Sequence, residues 1–466
     1  MNQQNKDLMT YALADYTCSC GHRHNTNIRQ INLDGDLGAV IDRLIRRQNG
    51  KADRVLSSDR NRLLLVADDH TWSACGKKLA AELTALSYSF ETCIFPGDPV
   101  LIPDEKAVFS VINHLRPDIG LLVAIGSGTL NDLTRFVSSR TGLPYYIVAT
   151  APSMDGYAST VAPLIVNNMK VTLDACGASA ILADPAVLAH SPDIMLAAGL
   201  GDILGKYSAL CDWQISALIE NEYYCEPVAS LVLDLVEKCR GQAGAVKRRD
   251  PQAARMIMEG LILSGIAMSY IGNSRPASGS EHHLSHFWEM AYQRQGRTPV
   301  PHGSKVGLAV IITCALYRRL LSAKPDFAAA RARLNQLNRE SWLADMHRVY
   351  QDGADELIEL DAHSSKNDPV QIAGRIDRLE REWPNILSII EKIIPEPDII
   401  RQALAEVGGA TRPSDLGMDQ DLVSDGLRYA REIRNRYTVL QLYADLGMTE
   451  TAVEIACSLW KITDLP

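Results

Sequence analysis

The chain has no apolar run approaching the roughly 20 residues that a bilayer-spanning helix needs. Its opening residues, Met1 to Asp7, lack the apolar segment of a secretory leader. A cytoplasmic protein without a membrane span is expected. Basic residues are not in surplus either. Lys and Arg number 47 against 56 Asp and Glu, a formal net charge of −9. That balance weighs against nucleic acid as the main partner, while an anionic small molecule stays open because local field outweighs the total. Internal repeats and long low-complexity tracts are missing as well. The ten cysteines are scattered along 466 residues instead of being packed into a small disulfide framework. Cys211, Cys239 and Cys314 sit inside apolar helical patterns, so reduced and mostly buried thiols are expected. What is present is a globular composition, 46% apolar and 22% charged, on a chain long enough for two domains.

Cysteine is concentrated once, in Cys18-Ser-Cys20-Gly21-His22-Arg-His24. This resembles half of a zinc knuckle, but a second ligand pair at matching distance is missing, and a hairpin ahead of the first domain is the favoured reading.

The chain then alternates. Residues 62 to 67, Arg-Leu-Leu-Leu-Val-Ala, form a continuous apolar run stopped by Asp68-Asp69, the ending of a buried parallel strand. A helix through Ala74 to Leu83 follows. Next come a strand at Ser89 to Phe95, a helix at Asp104 to Leu115, a strand at Ile119 to Ile125, a helix from Thr129 and a strand at Tyr145 to Ala149. Such alternation predicts a parallel sheet with helices on both faces and function at the carboxyl ends of its strands. A hairpin around Asn167-Asn168 and a strand at Ala180 to Ala183 close this part. Beyond residue 185 strands vanish. Helical periodicity runs through Pro192 to Ala217, Pro227 to Lys238, Ala253 to Ile271, Glu281 to Gln293 and Lys305 to Ala323. Turns are expected at Ser364 to Pro369 and at Gly408 to Pro413.

Three of the eleven histidines fall within five residues, in Ser278-Gly-Ser-Glu-His282-His283-Leu-Ser-His286, and His302-Gly303 follows sixteen residues later. On a helix His282 and His286 stand one turn apart and face the same way. With Asp202 of Gly-Leu-Gly-Asp they offer imidazoles and a carboxylate to one divalent cation. That donor set suits Zn²⁺, Ni²⁺ or Fe²⁺ better than Mg²⁺ or Ca²⁺ and leaves a coordination position open. The competing reading is an ordinary polar helix face or a satisfied core pair. Ser278 or Ser280 would cap the helix.

Gly126-Ser127-Gly128-Thr129-Leu130-Asn131-Asp132 ends a buried strand and opens a helix, where glycines admit a pyrophosphate to the backbone and the helix N-terminus favours it. The loop follows the third strand, whereas an ordinary Rossmann fingerprint follows the first. At the next strand end Thr150-Ala151-Pro152-Ser153 offers hydroxyls beside it. Asp155 either accepts hydrogen bonds from a substrate or closes an Asx turn with Gly156.

These strings, with Gly-Leu-Gly-Asp202-Ile-Leu-Gly-Lys206, Arg275-Pro-Ala-Ser-Gly-Ser-Glu-His-His-Leu-Ser-His286 and His302-Gly-Ser-Lys-Val-Gly, occur in an order that resembles the glycerol-1-phosphate dehydrogenases. Those enzymes belong to the iron-containing alcohol dehydrogenase and dehydroquinate synthase-like superfamily, with a bacterial AraM-like branch. The resemblance covers residues 40 to 320, and Arg436 to Gly447 looks like the family's C-terminal helix. It implies an N-terminal extension at 1–39, an α/β dinucleotide-binding domain with a parallel sheet at 40–185, and an all-α, dehydroquinate synthase-like domain at 186–466 that binds metal and substrate. One Zn or Ni ion would be held by Asp202, His282 and His302, with His286, Asp155 and Asp202 on the substrate. NAD or NADP would lie on Asp68, on Gly128, Thr129, Leu130, Asn131 and Asp132, on Thr150, Ala151, Pro152 and Ser153, and near Ser159. Asp68 at its strand end suits ribose hydroxyls and leans toward NAD. The implied substrate is a phosphorylated triose, its phosphate drawing on Arg275, Ser278, Ser280, His283 or Lys206, and the implied assembly a homo-oligomer, a dimer favoured. Two features depart from the family pattern: Ser127 stands where many members have a third glycine, and residues 324 to 435 exceed the expected length.

The implied reaction is reversible reduction of dihydroxyacetone phosphate to sn-glycerol 1-phosphate. Its rivals are a non-phosphorylated polyol dehydrogenase, which lacks the phosphate pocket, a dehydroquinate synthase-like lyase, which needs further lysines that are not found, and a silent binding protein, against which the intact ligand set argues.

Overall fold

The computed structural model describes residues 8–26, 28–49, 56–166 and 169–461. They gather into two compact units, Met1–Gly199 with Gly244–Tyr270, and Leu200–Ala243 with Ile271–Pro466.

The first unit opens with the expected hairpin, β1 (Tyr16–Thr17) antiparallel to β2 (Arg23–His24). Its centre is a six-stranded parallel sheet of β3 (Ile31–Asn32), β4 (Arg62–Asp68), β5 (Ser89–Phe95), β6 (Ile119–Gly126), β7 (Tyr145–Ala149) and β10 (Ala180–Ala183). Between β7 and β10 the chain makes an antiparallel ribbon of β8 (Val161–Val166) and β9 (Met169–Asp174); its turn, expected at Asn167-Asn168, lies outside the described residues. Every residue of β6 and β7 is buried, which is why both read as unbroken apolar runs. The Leu37–Asn49 and Lys77–Ala85 helices send Val40, Ile41, Leu44, Leu79 and Leu83 onto Leu63, Leu65, Leu121 and Val123 of the sheet.

Strand order explains the odd position of the glycine loop. The sheet runs β3-β10-β7-β6-β4-β5, so after β4 the chain places β5 on one side and β6 on the other. The direction of winding reverses between β4 and β6, and the crevice at that switch point is where open α/β sheets bind ligands. Asp68 ends β4 and Gly126 ends β6, so the loop after β6 lies beside the end of β4.

In the second unit every described element is a helix. The apolar pattern expected as one helix over Pro192 to Ala217 is two, Asp193–Leu204 and Lys206–Glu220, separated at Gly205. Hydropathy runs straight through this break because both sides of it are buried. The sequence reading on membrane spans also needs correction: Asp193–Glu220 and Pro251–Ile271 are long and apolar enough to cross a bilayer, but 89% and 67% of their apolar windows are buried within the protein.

Residues 324 to 435 form further helices, among them Arg339–Tyr350, Pro369–Ile393 and Gln420–Tyr429. The expected turns are there: Ser365 takes a left-handed conformation, and Asp368 caps the next helix ahead of Pro369. This stretch is tied to the Val439–Asp445 helix by a buried bidentate pair, with Arg375 Nε and Nη2 donating to the two Asp445 oxygens at 2.7 and 2.9 Å. Removing one partner strands the other charge in the interior. Asp445→Ala is therefore expected to lower unfolding free energy by about 3–5 kcal/mol, which urea titration followed by circular dichroism would measure; a change below about 1 kcal/mol would mean that the pair is not holding these helices together.

Candidate functional site

At the switch point of the first unit, the Asp68 carboxylate accepts the Thr71 N–H at 2.7 Å while Thr71 Oγ1 accepts the Asp68 N–H at 3.0 Å, a reciprocal cap on the helix that follows β4. Gly128 opens the Gly128–Thr141 helix, and the Ser127 side chain makes no cap bond there. The two glycines differ in what demands them. A Cβ at Gly126 would lie 2.4 Å from Leu130 Cδ1, so Gly126 is required by the helix that follows it. A Cβ at Gly128 would meet only the flexible end of Met154, at 3.3 Å. The Thr150 N–H donates to Gly126 O at 3.1 Å and stitches the two strand ends together.

Not every expected side chain faces a ligand. Asn131 is fully buried and donates to Gly156 O at 3.3 Å, and Asp132 holds Arg135 at 2.7 Å, with Arg135 also reaching Tyr145 Oη, Val161 O and Gly156 O. Both side chains thus brace the β6 end from within, leaving the backbone of Gly128 to Leu130 at the helix N-terminus. Ala151 and Pro152 are backbone supports: Ala151 O accepts Tyr157 Oη at 2.5 Å, and Pro152 O lies where a Cβ on Gly199 would be. Thr150 and Ser153 are buried at the strand end. Ser159 Oγ turns onto Val161, accepting its N–H at 3.0 Å. Asp155 makes no side-chain cap, contrary to the Asx-turn alternative, and accepts Ser264 Oγ at 2.9 Å from the Pro251–Ile271 helix.

In the second unit the side chains of Asp202, His282 and His302 each offer a donor atom, and these lie within 4.8 Å of one another. Glycine makes the approach possible. A Cβ on Gly201 would lie 2.4 Å from Gly303 O and 3.2 Å from Gly307 Cα, and one on Gly205 2.6 Å from Val306 Cγ1. The end of the Asp202 helix therefore rests backbone to backbone on the start of the His302–Leu320 helix. His282 and His286 project from Ser280–Arg294, and the His282 to His302, His286 to His302 and His282 to His286 ring centroids are 5.0, 5.7 and 6.0 Å apart.

Burial, then the neighbouring His302, holds the His282 imidazole well below its ordinary range, and burial also lowers His302. Neutral rings with available lone pairs are what a divalent cation requires. The His282 tautomer follows from its contacts: Nδ1 is 2.7 Å from Glu281 Oε1, so it carries the proton, and Nε2 points to Asp202 Oδ1 at 3.9 Å. A carboxylate behind a ligating histidine orients the ring and raises its basicity. Glu281 is itself pushed up to about 8, by burial first and by Asp212 second, and it accepts Ser208 Oγ at 2.6 Å and the Gly279 N–H at 2.8 Å. The Lys206 ammonium donates to Asp202 Oδ1 at 2.6 Å, with both groups fully buried.

His286 is the more exposed of the helix pair. Its Nε2 lies 3.4 Å from Arg434 Nη2 and its Nδ1 3.5 Å from Glu289 Oε2. Beside it the buried His283 ring has no hydrogen-bond partner on either nitrogen, nor have the hydroxyls of Ser278, Ser280 and Ser285. Burial lowers His283 well below its ordinary value, with Arg434, Lys366, Arg436 and Arg275 adding to the effect. Arg436 is brought down to about 9, by burial and then by Arg434 and Arg275. Two of the expected phosphate donors are already committed: Arg275 to Glu222 and Lys206 to Asp202. Neither Ser278 nor Ser280 caps the helix; its N-cap is Gly279, and the Ser280 N–H goes to Asp212 Oδ2 at 2.6 Å. Arg434, Arg436 and Glu289 were missed in the sequence. The Arg431-Glu-Ile-Arg434-Asn-Arg436 run was the available signal for the two arginines.

Residues 48–192 match the family model of the iron-containing alcohol dehydrogenases. The chain is 33% identical over 454 residues to a glycerol-1-phosphate dehydrogenase [NAD(P)+] of Geobacillus stearothermophilus, covering 97% of this chain and 100% of that protein. It is 31% identical to the enzyme of the same name from Geobacillus thermodenitrificans, over 94% and 97% of the two chains. Coverage of this extent gives residues 324 to 435 a counterpart in these relatives, so their length is not a departure. Among solved structures, a probable glycerol dehydrogenase from Sinorhizobium meliloti superimposes with a TM-score of 0.57 at 15% identity, over 92% of this chain and 98% of that one, and shares its fold.

If Glu281 supports the His282 ligand, Glu281→Gln should weaken divalent-metal binding by about 10–100-fold with the helices intact. Competition against a chromophoric chelator measures this directly; unchanged affinity would reduce Glu281 to a packing role.

Proposed function

The chain belongs to the glycerol-1-phosphate dehydrogenases of the iron-containing alcohol dehydrogenase superfamily, and from that premise we propose that it reversibly reduces dihydroxyacetone phosphate to sn-glycerol 1-phosphate with NADH or NADPH. The observation that carries the reading is the Asp202, His282 and His302 donor set, with His286 next to it and unpaired polar groups and cations next to that.

Asp202, His282 and His302 would hold one Zn or Ni ion, which when bound supplies Lewis acidity to a substrate oxygen. Gly128, Thr129 and Leu130 at the helix N-terminus, Asp68, Thr150 to Ser153 and Ser159 would hold the dinucleotide at the switch point of the sheet, with Asn131 and Asp132 bracing the loop, and when bound it would supply the hydride. Asp202 and His286 contact the triose.

As hydride reaches C2 of the ketone, its oxygen must gain a proton. His286 is the group for this. With Arg434 donating toward Nε2, the neutral ring carries its proton on Nδ1 facing Glu289; it becomes an imidazolium by taking a solvent proton at Nε2, and that Nε2 proton is the one it passes to the substrate oxygen, with Glu289 steadying the charged ring at Nδ1. No covalent intermediate is needed. For the phosphate, the half-buried guanidinium groups of Arg434 and Arg436 supply the charge, with the neutral His283 ring and the hydroxyls of Ser278, Ser280 and Ser285 beside them. Burying like charges together is unfavourable, and a dianion offsets that cost.

Turnover of dihydroxyacetone phosphate against unphosphorylated dihydroxyacetone, with a chiral assay of the product, tests the reading; equal kcat/KM for the two ketones would replace it with a polyol dehydrogenase. Arg436→Met should raise KM for the phosphorylated ketone and leave the unphosphorylated one unmoved. His286→Ala should keep its metal and lose on the order of 10²-fold in kcat/KM; loss of metal together with activity would make His286 a ligand instead. Gly128→Val places a branched side chain over the pyrophosphate, and NADH affinity by fluorescence titration should fall at least tenfold, whereas unaltered affinity would leave the loop a plain turn.

A further inference from the structure

The N-terminal hairpin carries chemistry that the dehydrogenase reaction does not use. β1 and β2 pair Tyr16 with His24 and Thr17 with Arg23. The Cys18 N–H continues the pairing to His22 O at 2.9 Å, and the Gly21 N–H closes the tip onto Cys18 O at 3.0 Å. Gly21 has φ +87°, a left-handed conformation that folds the tip back. The result gathers three soft donors on one side of a seven-residue segment. Cys18 Sγ, Cys20 Sγ and a ring nitrogen of His24 all lie within 4.8 Å of one another.

We propose that Cys18, Cys20 and His24 bind a second metal ion, a structural zinc. Three observations point there. The first is distance: Cys20 Sγ is 3.5 Å from His24 Nε2, and two ligands at ordinary Zn–S and Zn–N lengths on a tetrahedral ion stand about 3.6 Å apart. The second is the tautomer. His24 Nδ1 is 2.9 Å from the carbonyl oxygen of Tyr270. A carbonyl only accepts, so Nδ1 carries the proton and Nε2 turns a lone pair toward Cys20, the arrangement of a ligating histidine held from behind. The third is enclosure. His24 is fully buried and Cys18 nearly so, the His24 ring stacks on Tyr270 at 5.3 Å, and Tyr16 meets both rings edge-on. Two thiolates and an imidazole are a donor set for zinc and not for magnesium or calcium.

The role follows from the neighbours. Tyr270 closes the Pro251–Ile271 helix within the same unit, and its hydroxyl donates to Tyr11 O at 2.5 Å. The ion would thus pin the hairpin, and the Leu8–Ala12 turn before it, to the end of that helix. A segment this short has little core of its own, and a metal clip is a common remedy.

Metal counting on the full-length protein tests this, and the thiolate signature keeps it separate from the Asp202 centre. Purified with zinc, the wild-type chain should hold two equivalents by plasma mass spectrometry. His282→Ala should hold one, Cys18→Ser/Cys20→Ser one, and the combined variant none. With cobalt replacing zinc, a thiolate-to-cobalt charge-transfer band should appear in wild type and in His282→Ala and vanish in the double cysteine variant. Cys20→His keeps three donors and should retain the ion with a weaker band, which guards against a serine variant that fails to fold. The proposal is overturned if cobalt-loaded wild type and His282→Ala show no thiolate band, or if the wild-type mass is two hydrogens light from a Cys18–Cys20 disulfide. Those outcomes leave the Asp202, His282 and His302 assignment untouched.

Discussion

The carboxylate of Asp212 is where the helical unit is joined. It is wholly buried on the Lys206–Glu220 helix, and burial raises its pKa. A carboxylate in such a place survives only with its oxygens well served. Its partners are the Tyr317 hydroxyl, the Ser280 N–H at 2.6 Å and the Val439 N–H at 2.7 Å. These donors belong to three different helices: the one that begins at His302, the one that carries His282 and His286, and Val439–Asp445. One side chain therefore sets the start of the histidine helix and anchors its two neighbours. Gly279 is part of the same joint, since a Cβ there would lie 2.4 Å from Asp212 Oδ2. Glu281 feels the charge as well, Asp212 adding to the burial that raises its pKa.

Much of the sheet was legible because β4, β6 and β7 are buried on both faces and so appear as unbroken apolar runs. β3 was not, because two residues make no period, and its place in the sheet comes from pairing with β10, some 150 residues away. Strand order was equally hidden, and with it the reason that a phosphate loop follows β6. In the helical half, the histidines stood out as a rare residue at helical spacing, and the family strings joined Asp202 and His302 to them. Their supports did not stand out. Lys206 and Asp212 are two polar residues among several on the one Lys206–Glu220 helix, and nothing local says that one pairs with Asp202 while the other joins three helices. Arg434 and Arg436 lie about 150 residues from the histidines they neighbour, so only the folded chain brings them together. Asp68 was read as a ribose acceptor, while its capping partnership with Thr71 was there at a spacing of three but went unread.

The site thus has two kinds of wall. Around His286, His283 and Arg434 it is lined by long side chains, which a substitution can shorten, lengthen or neutralise. Where the Asp202 helix meets the His302 helix, there is only backbone. Gly201 and Gly307 approach so closely that a methyl group on either would press into the other's main chain. That contact has no side chain to trim, so directed evolution toward a bulkier ketone can make no room there. Libraries aimed at the arginine and serine side would vary groups that can change size, while the glycine seam acts as a fixed jaw.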